Sequence, residues 1–153
     1  WKHVDTKLRD LFVENGPIRY NDINFSKDEN SRHFSTTYYI RNLSNGEKHD
    51  RKWLVYSKDL NIVFCFCFKL FNSKLSISQL ANEGTDEWKN LSDKLKIHET
   101  TNEHITNMTT WLDLEMRLLR NKTIDKKSKN KLTKKKRSLK KNIIENYYSG
   151  KNP

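Results

Sequence analysis

Val63-Phe64-Cys65-Phe66-Cys67-Phe68 contains both cysteines of this 153-residue chain, separated by a single residue. A β-strand turns successive side chains to opposite faces, so a strand here would place both thiols on one side and phenylalanines on the other. One face would then pack into a core, while the other would offer two soft ligands to a metal. A disulfide at this spacing would close a very short loop and stabilise little, so we expect reduced thiols.

Two histidines downstream complete a candidate metal site. His98 and His104 are separated by five residues, a gap that zinc-binding histidines favour. His98 ends an apolar helical stripe, and the capping-box pattern from Thr100 to Glu103 predicts that a second helix begins there. Both histidines would then face inward at a helix-helix junction. We predict one tetrahedral Cys2His2 zinc site made of Cys65, Cys67, His98 and His104.

Two alternatives to this ligand set stay open. The cysteines fit a small core equally well, with the histidines as helix caps and no metal. If one predicted ligand is wrong, His49 is the best substitute, because it lies near the predicted hairpin. Four protein ligands would leave no open position for water, so we expect a structural site without hydrolytic activity.

The remaining patterns predict a small α+β domain in which a β-hairpin packs on the helix-helix junction. The hairpin strands are Trp53 to Tyr56 and Ile62 to Phe66, joined by five residues. A helix over Val4 to Phe12 is ended by Asn15-Gly16-Pro17.

Three further segments have weaker signals. Phe34 to Ile40 fits either a strand or a short helix, and Asn72 to Gly84 reads as a polar linker. Thr85 is expected to cap the helix that ends at His98.

The net charge of +11 lies almost entirely in one segment. Residues 120–141 contain twelve of the thirty Lys and Arg residues and only one of the nineteen acids, so the rest of the chain is close to neutral. We divide the chain into a lead-in (1–30), a metal-stabilised domain (31–119) and a basic C-terminal tail (120–153). No apolar run reaches the roughly 18–20 residues of a membrane span, so we expect no membrane partner.

The basic tail has two interpretations of equal weight. Its lysine cluster fits a nuclear localisation signal or a nucleic-acid patch, and it also fits a solvated charge run. The residues that would contact phosphates are Lys134, Lys135, Lys136, Arg137, Lys140 and Lys141.

Several separate blocks of this chain follow one another in a characteristic order: Lys27 to Ser35, Tyr38-Tyr39, Leu43 to Glu47, Trp53 to Lys58, Val63 to Phe71, and Gly84 onward through Trp88, His98 and His104. Together these blocks resemble the TTF-type zinc finger of hAT-family transposases and of zinc finger MYM-type-like host proteins. One departure is Phe68, where members of that family usually have a further cysteine.

The resemblance implies zinc bound by the four predicted ligands and DNA binding in a transposase-like or transposase-derived nuclear protein. In such proteins the acidic catalytic residues lie well downstream, so no enzymatic activity or small-molecule substrate is expected of these 153 residues. The rival function is a protein-protein interaction or self-association module with a purely structural zinc, which the neutral charge before residue 120 favours. A third is a metal-independent basic RNA-binding or nuclear scaffold fragment.

Overall fold

The structure is a computed structural model, and it describes residues 4–71, 76, 78–125 and 140–142. The predicted small α+β fold is confirmed, with two β-hairpins and four α-helices in the described residues. The elements are α1 (Thr6–Asn15), β1 (Ile40–Asn42), β2 (Lys48–Asp50), β3 (Leu54–Ser57), β4 (Ile62–Cys65), α2 (Phe66–Phe71), α3 (Leu91–Glu99) and α4 (Asn102–Asp125). No helix in these ranges is long and apolar enough to cross a membrane.

The first helix forms where its capping signals predict. The Asp5 carboxylate accepts a hydrogen bond from the Leu8 amide at 2.8 Å, which satisfies one donor of the first turn. Gly16 ends the helix with φ of 67°, a left-handed conformation that glycine adopts without strain. Phe12 and Val13 of this helix are buried in the core.

The second hairpin carries the cysteine stretch, and its strand prediction is only half right. β3 and β4 pair antiparallel with Leu54 opposite Cys65, as expected. The chain then leaves the sheet, and Phe66 begins α2, so Cys67 lies on a helix. Every side chain from Val63 to Phe68 is buried, and a short apolar run of this kind fits a buried helix as well as a strand.

The helix-helix junction is confirmed, although its cap is displaced by one residue. α3 ends at Glu99 and α4 begins at Asn102. The Thr101 hydroxyl accepts a hydrogen bond from the His104 amide at 3.2 Å, so Thr101 and not Thr100 caps α4. With Thr101 as the cap, Glu103 is the second helical residue and not the third that a capping box requires, and its carboxylate accepts a hydrogen bond from Ser76 at 2.6 Å.

The stretch before α3 is built into the fold and is not the polar linker that composition suggested. Leu80 and Ala81 are buried, and the Leu80 carbonyl accepts a hydrogen bond from the Cys65 amide at 2.7 Å. Thr85 forms a bridge with Val63, so it does not begin the helix. A short 3-10 turn over Trp88–Asn90 leads into α3.

The segment from Phe34 to Ile40 combines both of its predicted conformations. Thr36–Tyr39 is a 3-10 helix, and Ile40 then opens strand β1, which pairs with β2. The proposed division of the chain at residues 30 and 119 stays a prediction.

Candidate metal centre

Three of the four predicted ligands meet at the point where the hairpin, α2 and α4 converge. The Cys65 and Cys67 sulfurs lie 3.3 Å apart. His104 Nδ1 lies 3.6 Å from Cys65 Sγ and 4.0 Å from Cys67 Sγ. The three side chains are buried, both cysteines are free thiols, and the cluster could hold a metal ion. The strand-to-helix transition after Cys65 therefore brings the two thiols together, as the strand was expected to do.

These separations fit a tetrahedral zinc coordination shell. With Zn–S bonds of about 2.3 Å and Zn–N bonds of about 2.0–2.1 Å, tetrahedral angles place two sulfurs about 3.8 Å apart and a sulfur and a nitrogen about 3.6 Å apart. The sulfur-nitrogen distances of 3.6 and 4.0 Å match that edge within a few tenths of an ångström, and the sulfurs lie slightly closer. Two thiolates and an imidazole are also a donor set that suits zinc.

His98 lies beside this cluster but is not one of the three residues whose ligand atoms lie within 4.8 Å of one another. Its ring centre is 4.8 Å from that of His104. The Nδ1 atom of His98 lies 2.9 Å from the Ser78 hydroxyl, and its Nε2 atom is buried with no hydrogen-bond partner among the described residues. An orphaned buried nitrogen is costly, so this atom is a candidate fourth ligand.

The ionisation of the site favours the metal-binding forms of His98 and Cys67 but not that of Cys65. Burial, and to a lesser extent His104, lower the pKa of His98 to about 3, so its imidazole is neutral at physiological pH. Burial raises the pKa of Cys65 well above its ordinary value. Burial also acts to raise the pKa of Cys67, but hydrogen bonds with Cys65 and then His104 outweigh it and lower that pKa to about 6. The cluster therefore already stabilises one thiolate, the form that binds metals.

Aromatic side chains shield the two histidines from water. The Trp53 ring lies 5.2 Å from the ring of His98 and 4.7 Å from that of His104. Phe68 packs on the same pair, 5.1 Å from the His98 ring. Phe68 stands where the resembled family usually has cysteine, and here its ring packs against the imidazoles.

The sequence did not identify Ser78 as part of the site. Serine is common in turns, and the 78–85 segment had no periodicity that would predict packing. The hydroxyl becomes significant only because the Leu80 carbonyl holds the segment against the Cys65 amide. The one signal for such a partner was that His98, if buried as a ligand, would need a hydrogen-bond partner for its second ring nitrogen.

The other predicted site residues lie elsewhere. His49 is exposed on β2, 3.5 Å from the Glu47 carboxylate, and is not part of the cluster. Lys134, Lys135, Lys136 and Arg137 lie outside the described residues, so their role stays a prediction. Lys140 Nζ lies 3.2 Å from the carboxylate of Glu14 on α1. Lys122 Nζ forms a second ion pair with the same carboxylate at 3.4 Å. Lys141 is exposed.

Among curated proteins, the chain is similar to zinc finger MYM-type protein 5 of three mammals. The identity is 42% over 127 residues for the human and the Macaca fascicularis proteins, which is 82% of this chain and 19% of each relative. The mouse protein is 39% identical over 125 residues, which is 80% of this chain and 20% of the relative. The chain thus spans about a fifth of the length of these relatives. No family model and no solved structure matches the chain.

Proposed function

We propose that this chain is a zinc-binding module in which the metal joins the cysteine-bearing hairpin and α2 to the α3–α4 junction. The observation that carries this proposal is the convergence of Cys65, Cys67 and His104, whose ligand atoms lie 3.3–4.0 Å apart, next to the buried ring of His98, whose Nε2 atom lacks a partner among the described residues. The relatives named zinc finger support the same metal. Zinc would supply a structural cross-link, since His98 as fourth ligand closes the coordination shell. No catalysis is proposed for this segment.

The test is elemental analysis of the purified chain, followed by thermal unfolding before and after treatment with a chelator. We expect one zinc per chain and a large fall in the unfolding midpoint when the metal is removed. Cys67→Ser and His104→Ala should lower the zinc content. No cysteine lies outside the proposed site, so the matched control is a histidine outside it, His49→Ala. This variant should bind as much zinc as the unmodified chain. Protein that is free of metal and equally stable with or without chelator would refute the site.

We further propose that the module binds DNA. The concentration of basic residues between 120 and 141 supports this, because phosphate contacts dominate affinity for DNA. Neutralising the four-residue cluster Lys134–Arg137 with glutamine in the full chain should weaken binding and reduce the salt dependence, by about 0.9 in the log-log slope for each phosphate that is no longer bound. A control with the exposed Lys7, Lys48, Lys58 and Lys89 changed to glutamine removes the same charge from the folded part.

A protein-protein interaction module is the second candidate, and one observation favours it. Ile105, Leu112 and Met116 recur at helical spacing on α4, and each side chain is about half exposed (52%, 44% and 51%). Apolar positions on one exposed helix face are typical of a partner surface. Replacing the three with glutamine should abolish association without affecting zinc content or DNA binding if this candidate is right.

For the parent protein we propose a nuclear location and an origin related to transposases. The resemblance to the TTF-type zinc finger and the lysine-rich cluster support this. A fluorescent fusion of the whole chain should accumulate in the nucleus, and the Lys134–Arg137 glutamine variant should not. Equal distribution of both fusions would refute the localisation.

A further inference from the structure

A pocket of about 400 Å³ lies between β1 and α3, away from the three-residue metal cluster. One wall is formed by β1 and the turn that follows it, and the other by two α3 side chains one turn apart. It is lined by Ile40, Arg41, Asn42, Leu43, Ser44, Arg51, Ser92 and Lys96. Its volume falls in the range of small-ligand pockets, which is about 300–1,000 Å³.

The polar lining is rich in hydrogen-bond donors, and the protein itself uses only part of them. The exposed side chains of Asn42, Ser44 and Ser92 have no hydrogen-bond partner among the described residues, so they face water and are open to a ligand. Lys96 has one distant partner, the exposed Asp93 carboxylate at 3.7 Å. Convergent donors of this kind indicate a ligand rich in acceptor oxygens.

The charges at the base of the pocket leave an excess of positive charge. Arg51 is buried, and its Nε and Nη2 atoms each donate to one oxygen of Glu99 at 3.0 Å. The same Arg51 donates through Nη1 to the carbonyls of Tyr38 and Ile40, so it is fully engaged. Glu99 therefore offsets one of the three cations that line the pocket, and Asp93 lies 3.7 Å from Lys96, so the excess is one positive charge.

Arg41 is held in place while most of its donors stay available. Its Nε lies 3.4 Å from Glu99, and neither Nη group has a partner among the described residues. A guanidinium that is oriented through Nε presents its two Nη groups to an oxyanion in the forked geometry that suits phosphate. Lys96 adds a point charge on the opposite wall, and Ile40 and Leu43 supply apolar surface.

We propose that this pocket binds a phosphate ester with its attached sugar, that is, one unit of a DNA backbone. The proposal rests on the DNA-binding function proposed above and deepens it by assigning a contact to the near-neutral folded part. A free phosphate ion would fill only a fraction of about 400 Å³, whereas the sugar would use the apolar wall. Arg41 and Lys96 bind the phosphate, and Asn42, Ser44 and Ser92 bind the remaining oxygens.

The first experiment compares two charge-matched double variants of the zinc-loaded full chain in binding to duplex DNA across a salt series. Arg41→Gln with Lys96→Gln should weaken binding at least tenfold and lower the log-log salt slope by about 0.9, because one phosphate occupies the pocket and each phosphate contact contributes about 0.9. Lys7→Gln with Lys58→Gln, two exposed lysines away from the pocket, should retain the slope. Equal effects of the two double variants would overturn the proposal while leaving DNA binding intact.

The second experiment titrates the labelled chain with a deoxynucleoside monophosphate and follows backbone amide resonances. Saturable shifts at residues 41–44, 92 and 96 that disappear in the Arg41/Lys96 variant would support the pocket even if duplex DNA does not bind and the proposed function fails. An absence of shifts at these residues would overturn the pocket. Shifts produced by a glutamate-rich peptide but not by the nucleotide would also overturn it, in favour of an acidic protein partner.

Discussion

Ser78→Ala tests most directly whether His98 is a zinc ligand. The Ser78 hydroxyl lies 2.9 Å from His98 Nδ1, and the opposite ring nitrogen, Nε2, is buried without a partner among the described residues. If Nδ1–H donates to this hydroxyl, Nε2 carries the lone pair that a metal requires. Hydrogen bonds of this kind fix both the tautomer and the orientation of metal-binding histidines. Removing the hydroxyl should therefore weaken metal binding without touching a ligand.

The expected loss of zinc affinity is about 10–100-fold, which corresponds to about 1.4–2.7 kcal/mol. His98→Gln should cost more, because it removes the fourth donor and opens the shell. Zinc affinity is measured by competition with a chromophoric chelator, and cobalt substitution reports the geometry through its tetrahedral absorption bands. Ser78→Ala should retain those bands at saturating cobalt, whereas His98→Gln should alter them.

Ser76→Ala is the matched control for this prediction. Its hydroxyl donates to Glu103 at 2.6 Å, so the variant loosens the same segment without removing the acceptor of His98. Ser76→Ala should therefore retain zinc affinity within about threefold. If Ser78→Ala and His98→Gln both bind zinc as tightly as the unmodified chain, His98 is not a ligand and the site has three protein donors.

Three further predictions concern stability. The pKa of His98 falls from 6.5 to about 3 on folding, so as pH falls the unfolded chain takes up the proton first. The contribution of neutral His98 to the free energy of unfolding of the metal-free protein should be complete above about pH 6.5 and should fall by on the order of 5 kcal/mol by about pH 3. Urea unfolding measures this profile, and His98→Gln should flatten it. Gly84→Ala should cost more than Gly46→Ala, by about 1–3 kcal/mol in the same assay. Both glycines have positive φ, but a Cβ at 84 would meet the Val63 carbonyl oxygen at 2.7 Å, while nothing lies within 4 Å at 46. Trp111→Ala should cost about 3–5 kcal/mol because its buried ring packs 5.0 Å from that of Phe66, whereas the exposed neighbour Leu112→Ala should change stability by less than about 0.5 kcal/mol.

The parts of the fold that the sequence predicts are those with strong local signals. The cap at Asp5, the stop at Gly16 and the β3–β4 hairpin each follow from a few adjacent residues. The interruption between the two histidines was also readable, because Thr100 to Asn102 favour a helix start over a continuous helix. Side chains that face inward at such a junction come close together, and this is why three of the four predicted ligands, Cys65, Cys67 and His104, lie together; their role as ligands stays a prediction.

The errors share one physical cause, which is that tertiary contacts decided the conformation of ambiguous segments. Phe66 to Phe68 is apolar enough for either a strand or a helix, and it forms a helix because the chain turns there to pack on α4. Thr85 has the chemistry of a helix cap, but pairing with Val63 uses its backbone in a bridge instead. Because α4 and Val63 are distant in sequence from the segments they contact, the local sequence does not indicate which conformation those segments adopt.

The segment from Ser78 to Thr85 shows why the surroundings of His98 were harder to predict than those of the two cysteines. Its backbone bonds to β4 at two points, through the Leu80 carbonyl with Cys65 and through Thr85 with Val63. The strand that carries a predicted zinc ligand is therefore held by the segment that also orients His98. A loop fixed in this way would transmit the breaking of any of these three hydrogen bonds to the metal. Metal affinity and the stability of this loop should consequently change together, and a variant such as Gly84→Ala should weaken zinc binding although no atom of Gly84 belongs to the ligand set.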